Sequence, residues 1–341
     1  MKKEVIIHIG THKTGSSSIQ ESFYGSMGEG GVEYFDFGEP NHSHVMASLF
    51  LNNPYNYHFH RKLGKTKKYV DAYVSEWFSV IDRQIFSSEK EVFFISAEDV
   101  CTFTEPELVR MRDFLQKYFL SIKIICYLRS PVAFMQSLFQ QRLKGGVAEL
   151  KPERLYSSYR NLVEKFVKVF GVEHSTFVQF SKESLIDGDV VADVASRINE
   201  DKNNIKVKRA NEGLSAEAAA VLFVYLRFSA PNVMDREAYK RSKKLVALLK
   251  GFGENKLLFG EKYYSFVEHE RCHDLKWLKK HVGCTMDEKF VAKKNTVIVN
   301  SAEDLVCYCK SVYPDFIRHL AENNKGNVKV IDVVRAVDAF C

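Results

Sequence analysis

Residues 10 to 18 read GTHKTGSSS, with two glycines bracketing a lysine and a run of hydroxyls following. Gly10 and Gly15 relieve a tight turn, Lys13 adds a point charge, and Thr14, Ser16, Ser17 and Ser18 add hydroxyl donors. The apolar run EVIIHIG precedes them, and a helical pattern with Ile19 and Phe23 four apart follows. A strand that turns straight into a helix aims unsatisfied N–H groups and a positive dipole end at whatever lies beyond it. The chemistry this implies is anion binding. A plain N-cap would need one Ser or Thr and no lysine.

Against the phosphate-loop pattern G-x-x-x-x-G-K-[ST], the Gly10 to Gly15 spacing fits, but Ser16 stands where the lysine belongs. The positive charge has moved to Lys13. This change removes the usual contact to β- and γ-phosphates, and no nearby hydrophobic run ends in an Asp that would hold Mg²⁺. A nucleotide is expected, and a magnesium nucleoside triphosphate is the weaker fit.

Two further segments bear on the ligand. In YLRSPVAFMQSLFQQ, Arg129 stands at a strand end and Ser137 lies eight residues later in the following helix. A strand end and the first turns of the next helix face one crevice, where Arg offers a planar fork of donors and Ser one hydroxyl. In VFFISAEDV, Glu98 lies just past a buried strand expected to neighbour the first, where Glu98 or Asp99 would cap the next turn.

HIGTHKTGSSSIQ resembles the 5′-phosphosulfate loop of the sulfotransferases that use 3′-phosphoadenosine 5′-phosphosulfate (PAPS), whose lysine precedes the second glycine. YLRSPVAFMQSLFQQ resembles the same family's 3′-phosphate site. The resemblance implies that His12, Lys13, Thr14, Gly15, Ser16 and Ser17 hold the 5′ end of the donor, and that Arg129 and Ser137 hold its 3′-phosphate. Glycan-modifying relatives have a glutamate near position 98, so Glu98 is the implied base, with Ser96 lining the donor site. Later segments, STFVQFSKESLIDGDVVADVASRI and RANEGLSAEAAAVL, resemble bacterial members of the carbohydrate-type branch. Lys206, Lys208 and Arg209, just before Asn211, would either close over the 3′-phosphate, as a basic loop does in relatives, or form a solvated basic stretch. The likeness covers residues 4 to about 225.

The implied activity is sulfuryl transfer from PAPS to a hydroxyl of a glycan or glycolipid, without a metal. A P-loop kinase or NTPase, or a silent nucleotide-binding module, are the alternatives. His42 and His44, in PNHSHVMASLF, would overhang the acceptor side as acceptor ligands, as a substitute base or as ordinary polar loop residues, and His44 is counted with Lys13 and Glu98 as catalytic. Tyr55, Tyr57, His58 and His60 suit stacking on sugar rings. The run RKLGKTKK would steer an anionic acceptor or simply be solvated.

The elements that must position these residues follow from the hydrophobic pattern. Strands are expected at Glu4 to Gly10, Glu91 to Ala97, Ile122 to Leu128 and Ser175 to Phe180. Helices are expected at Ser16 to Tyr24, Tyr69 to Phe86, Glu105 to Phe119, Pro131 to Lys144, Arg154 to Phe170 and Val190 to Ile198. Their alternation argues for an α/β fold, a parallel sheet flanked by helices on both faces, and with the loop of Gly10 to Gly15 and the resemblance the sheet is expected to be of the P-loop type. Residues 25 to 65 read as a long loop with one helix near His44 to Leu51. After about Lys208 the pattern is helical, at Ser215 to Phe228, Arg236 to Lys250, Glu261 to Val282, Ala302 to Asn323 and Val328 to Phe340, with Thr296 to Val299 strand-like. The domain expectation is therefore a core over 1–210 and a helical C-terminal extension over 211–341.

Composition excludes some classes. The chain has 341 residues, 45% hydrophobic and 27% charged, with a net charge of +6. That balance is ordinary for a folded domain, too mild to imply nucleic acid, and suited to a small anionic ligand. No apolar run approaches the roughly 18 residues of a membrane helix, and none at the start makes a signal peptide. Seven cysteines without a C-x-x-C pair read as free thiols in a reducing compartment, the cytoplasm. His269, Cys272, His281 and Cys284 have zinc-like spacing, but the helical DLKWLKKHV would hold the two pairs about two turns apart, so no metal is expected.

Overall fold

The structure is a computed structural model that describes residues 3–11, 14–208, 213–229, 236–286, 288–292, 294–323 and Val337. From the amino end the chain runs β1 (Glu4–His8), α1 (Ser16–Tyr24), β2 (Val32–Tyr34), α2 (Ser43–Phe50), α3 (His58–Lys62) and α4 (Lys67–Ser87). It continues with β3 (Val92–Ser96), α5 (Glu105–Leu115), β4 (Ser121–Leu128), α6 (Pro131–Lys144), α7 (Pro152–Leu155), α8 (Tyr159–Phe170), β5 (Ser175–Gln179) and α9 (Val190–Arg197). Last come α10 (Ala216–Ser229), α11 (Arg236–Leu248), β6 (Lys256–Phe259), α12 (Glu261–Glu270), α13 (Cys272–Val282), β7 (Thr296–Val299) and α14 (Ala302–Asn323). Two compact units result, one from residues 1–129, 158–211 and 274–286, the other from 130–157, 212–273 and 287–341.

The first unit is α/β, a five-stranded parallel sheet flanked by helices, in the order β2-β3-β1-β4-β5. Strand β1 is central because Val5, Ile6 and Ile7 are apolar on both faces and must be covered on both. On one face Ile6, Phe94, Tyr127 and Val178 pack with Ile19 and Phe23 of α1 and Val191, Val194 and Ala195 of α9. Behind the other face α8 lies on β4 and β5, with α5 packed on α8. Tyr127 also donates its hydroxyl to the buried Asp193 on α9 at 2.7 Å. Helix starts are capped as their sequences dictate. Thr104 and Glu107 form a capping box on α5, and Asp189 accepts from Val191 and Ala192 on α9. At α8 the carboxylate of Asp274 takes the amides of Tyr159 and Arg160 and the Ser158 hydroxyl.

The second unit is mainly helical, with β6 and β7 paired in parallel. Its centre is α10, on which α6, α11 and α14 pack. Residues 216–226 of α10 are all buried, among them Phe223, which meets Phe139 of α6. The chain thus passes between units near residues 129, 157, 211, 273 and 286. Residues 130–157 fall inside the span 1–210 yet belong to this unit. Helix Val328 to Phe340, expected from the sequence, lies outside the described residues apart from Val337. Among the described residues no helix is long and apolar enough to cross a membrane.

Candidate functional site

The ends of β1 and β3 bring three buried polar side chains together. His8 and Ser96 are register partners on adjacent strands, and His8 Nδ1 and Ser96 Oγ share a hydrogen bond of 2.8 Å. Ser96 donates its backbone N–H to His42 Nδ1 at 3.2 Å, while the His42 amide donates to the Ser96 carbonyl at 3.1 Å. Both imidazoles are fully buried. Burial disfavours their charged forms, lowering His8 to about 4 against the opposing pull of Glu98, and His42 to about 3. Each keeps an Nε2 that meets no partner among the described residues.

The loop above His8 is shaped by glycine. Gly10 has φ 22°, and a Cβ there would stand 2.4 Å from Ser16 Oγ and 3.2 Å from His8 Nε2. Ser16 Oγ is buried and also without a partner among the described residues. Two orphan polar atoms therefore pack close to Gly10, where a side chain would collide with them. Gly15, with φ 79°, is the N-cap of α1, and a Cβ on it would meet Val190 at 2.8 Å. Its carbonyl accepts from Ser18 and Ile19, while the amides of Ser16 and Ser17 are in the first turn and have no acceptor inside the helix. No acidic residue lies in that turn. Thr11 donates to the Tyr127 carbonyl at 2.8 Å, and Thr14 donates to the Thr11 carbonyl at 2.6 Å, tying the shoulders of the loop to β4.

Among the residues singled out by sequence, Thr14, Gly15, Ser16 and Ser17 lie together at this helix start, with the Thr14 hydroxyl proton turned into the loop. His12, Lys13 and Arg209 lie outside the described residues. Glu98 opens the turn after β3, near enough to His8 to act on its charge. Its neighbour Asp99 accepts from the Tyr57 hydroxyl at 2.6 Å and donates its amide to Ser43 Oγ. Arg129 follows the last residue of β4, and its carbonyl accepts from Tyr159. His44 is held elsewhere, bonded to Glu39 at 2.7 Å and stacked on Phe59 at 4.0 Å. Lys206 and Lys208 donate their amides to Ser26 and Ser22, at the carboxyl end of α1, and Lys206 pairs with Glu29. In the second unit Ser137 is on α6, whose first turn is filled by the carboxylate of Glu288, accepting from Val132, Ala133 and the Ser130 hydroxyl.

No protein-family model matches the chain, and no curated protein matches it. What the site can do follows from its own atoms. A helix N-terminus with a hydroxyl and a neutral imidazole beside it offers dipolar donors to an oxyanion, and its first turn carries no acidic side chain to repel it. In sequence His8 reads as an interruption of an apolar strand, so its place at the candidate site was not foreseen. The signal was available: an imidazole as the last residue of a buried β-strand, two positions before a loop glycine. In the remaining zinc-like pattern, His269 bonds the Ser265 carbonyl and His281 that of Trp277, each within its own helix.

The two buried histidines make stability depend on pH. Unfolding exposes both to water, where they titrate near 6.5, whereas the folded chain keeps them neutral to about 4 and below. Folded pKa values below the unfolded ones mean stability is full above about 6.5 and is lost as the pH falls toward 4. Each contributes about 1.4 kcal/mol per pH unit in that window. Urea unfolding across pH 4.5 to 6.5 should show His42→Phe flattening the slope by about one proton. An unchanged slope would refute the buried neutral state.

Proposed function

We propose that the chain is a sulfotransferase acting in the cytoplasm, which moves a sulfuryl group from PAPS to a hydroxyl of a glycan or glycolipid. The observation that carries this reading is the cradle of His8 Nε2 and Ser16 Oγ at the start of α1, on the carboxyl end of the middle strand. Open parallel sheets bind ligands at such ends, where neighbouring strands continue to opposite sides. A P-loop-type core with a helical C-terminal extension is the finer fold reading that goes with it. PAPS supplies a sulfuryl group already activated on a phosphate leaving group.

In this reading the amides of Ser16 and Ser17, the Ser16 hydroxyl and Lys13 stabilise negative charge growing on the leaving phosphate. With Ser96 Oγ as the donor to His8 Nδ1, Nε2 would carry the proton and His8 would add a neutral donor to the same oxygens. Glu98 accepts the acceptor's hydroxyl proton as its oxygen bonds to sulfur and the sulfur–oxygen bond to the phosphate breaks. Arg129 binds the 3′-phosphate through its guanidinium fork.

A thermal-shift panel of 3′-phosphoadenosine 5′-phosphate, AMP, Mg·ATP and Mg·GTP tests the donor class. The 3′-phosphorylated nucleotide should stabilise most, and larger shifts with Mg·ATP or Mg·GTP would move the assignment to a kinase or NTPase. Arg129→Ala should weaken 3′-phosphoadenosine 5′-phosphate about 10-fold or more in calorimetry while sparing AMP. Equal losses for both nucleotides would remove Arg129 from the 3′ site. Donor affinity without any transfer would leave a binding module.

A further inference from the structure

A cleft of about 470 Å³ in the second unit is built from α10, α14 and the loop before β6. Tyr308, Val312, Asp315, His319 and Glu322 of α14 line it from one face of the helix, at the three- and four-residue spacing that places side chains in a row. Opposite them are Glu217, Phe252, Gly253 and Asn255. The volume is in the range of small-molecule sites.

Glu217 decides what the cleft would take. Its residue is only 7% exposed, and both of its donors converge on one oxygen: Asn255 Nδ2 at 2.5 Å and the Tyr308 hydroxyl at 2.9 Å reach Oε1. The second oxygen, Oε2, has no donor among the described residues. A carboxylate oxygen taken out of water without a donor is costly, so a ligand that brings one gains what the fold does not supply. Gly253 lies directly against that oxygen, since a Cβ there would stand 2.3 Å from Oε2. Asp315 and Glu322 add acidic groups along the cleft, and Arg318 is paired with Asp315 at 3.2 Å. Three carboxylates against one guanidinium select a cation.

We propose that this cleft binds a primary alkylammonium compound, with Glu217 Oε2 as the anchor of the ammonium and Phe252 and Val312 lying along the alkyl chain. An ammonium has three N–H donors on a compact centre and would supply the donor that this carboxylate oxygen lacks. A metal ion fits less well, because the described residues contain no group of three or more His, Cys, Asp or Glu side chains placed to ligate one. The site is independent of the sulfotransferase reading, and either can fail without the other.

Isothermal titration of the full chain with spermidine, and with 1,8-octanediol as a neutral counterpart, tests it. Spermidine should bind with one-to-one stoichiometry and the diol should not. Glu217→Gln keeps an acceptor for Asn255 and Tyr308 but turns the other position into a donor, and should weaken spermidine by about 10- to 100-fold. Its circular dichroism should match that of the unaltered chain. If that variant does not fold, the double change Asp315→Asn with Glu322→Gln should still weaken spermidine several-fold. No saturable binding, equal binding of the diol, or spermidine affinity unchanged by the folded variants would overturn the assignment.

Discussion

Lys13→Ala is expected, on the proposed sulfotransferase reading, to lower sulfuryl transfer from PAPS by roughly 10³-fold, read as kcat in a single-acceptor assay. The reasoning starts from charge. As the sulfur–oxygen bond breaks, negative charge accumulates on the 5′-phosphate, and Lys13 is the only formal positive charge that the sequence places between Gly10 and Gly15. The amides of Ser16 and Ser17 and the Ser16 hydroxyl remain in the variant, so some acceleration should survive. A loss confined to KM would mean that Lys13 binds substrate and transition state equally. Turnover close to that of the unaltered protein would take Lys13 out of the mechanism.

Glu98→Gln should lower kcat by about 10²- to 10⁴-fold while leaving donor affinity in place. Gln has the shape of Glu but cannot take a proton, so the acceptor hydroxyl would have to lose its proton to water. Glu98 also raises the His8 pKa, and its neutralisation should hold His8 neutral to still lower pH. Should the variant stay fully active, the base must be found among the histidines. There the structure separates the two considered from sequence. His42 has a buried Nε2 without a partner among the described residues, whereas His44 is bonded to Glu39 and stacked on Phe59.

Much of the sheet was legible because its strands are dense in Val, Ile and Phe and separated by helical patterns. Expected and observed bounds of β1, β3, β4 and β5 agree within two residues at each end, and α1, α6 and α14 coincide with their expected spans. Strand β2 was not legible: three residues, Val32–Tyr34, in a stretch rich in Gly and Asn give no period to detect. Strand β6 was hidden for a similar reason, four residues in length beside a helical pattern. The helix expected over Glu261 to Val282 divides at Arg271, where the periodicity runs on but the backbone does not. At the site, loop and helix start were read from spacing, since glycine and hydroxyl positions are local signals. The joining of His8, Ser96 and His42 was not, because it depends on the register of β1 with β3 and on the place where α2 begins.

The way Thr11 holds the loop has a consequence for how the protein tolerates change over generations. Its hydroxyl bonds a main-chain oxygen, the carbonyl of residue 127, which every amino acid carries. Drift at position 127 can therefore alter the Tyr127 link to Asp193 on α9 without deleting the anchor of the loop. Position 11 has no such latitude, since only Ser or Thr would restore the donor at that reach. The two ends of one hydrogen bond thus differ in mutational robustness, and the variable end is the one facing the core.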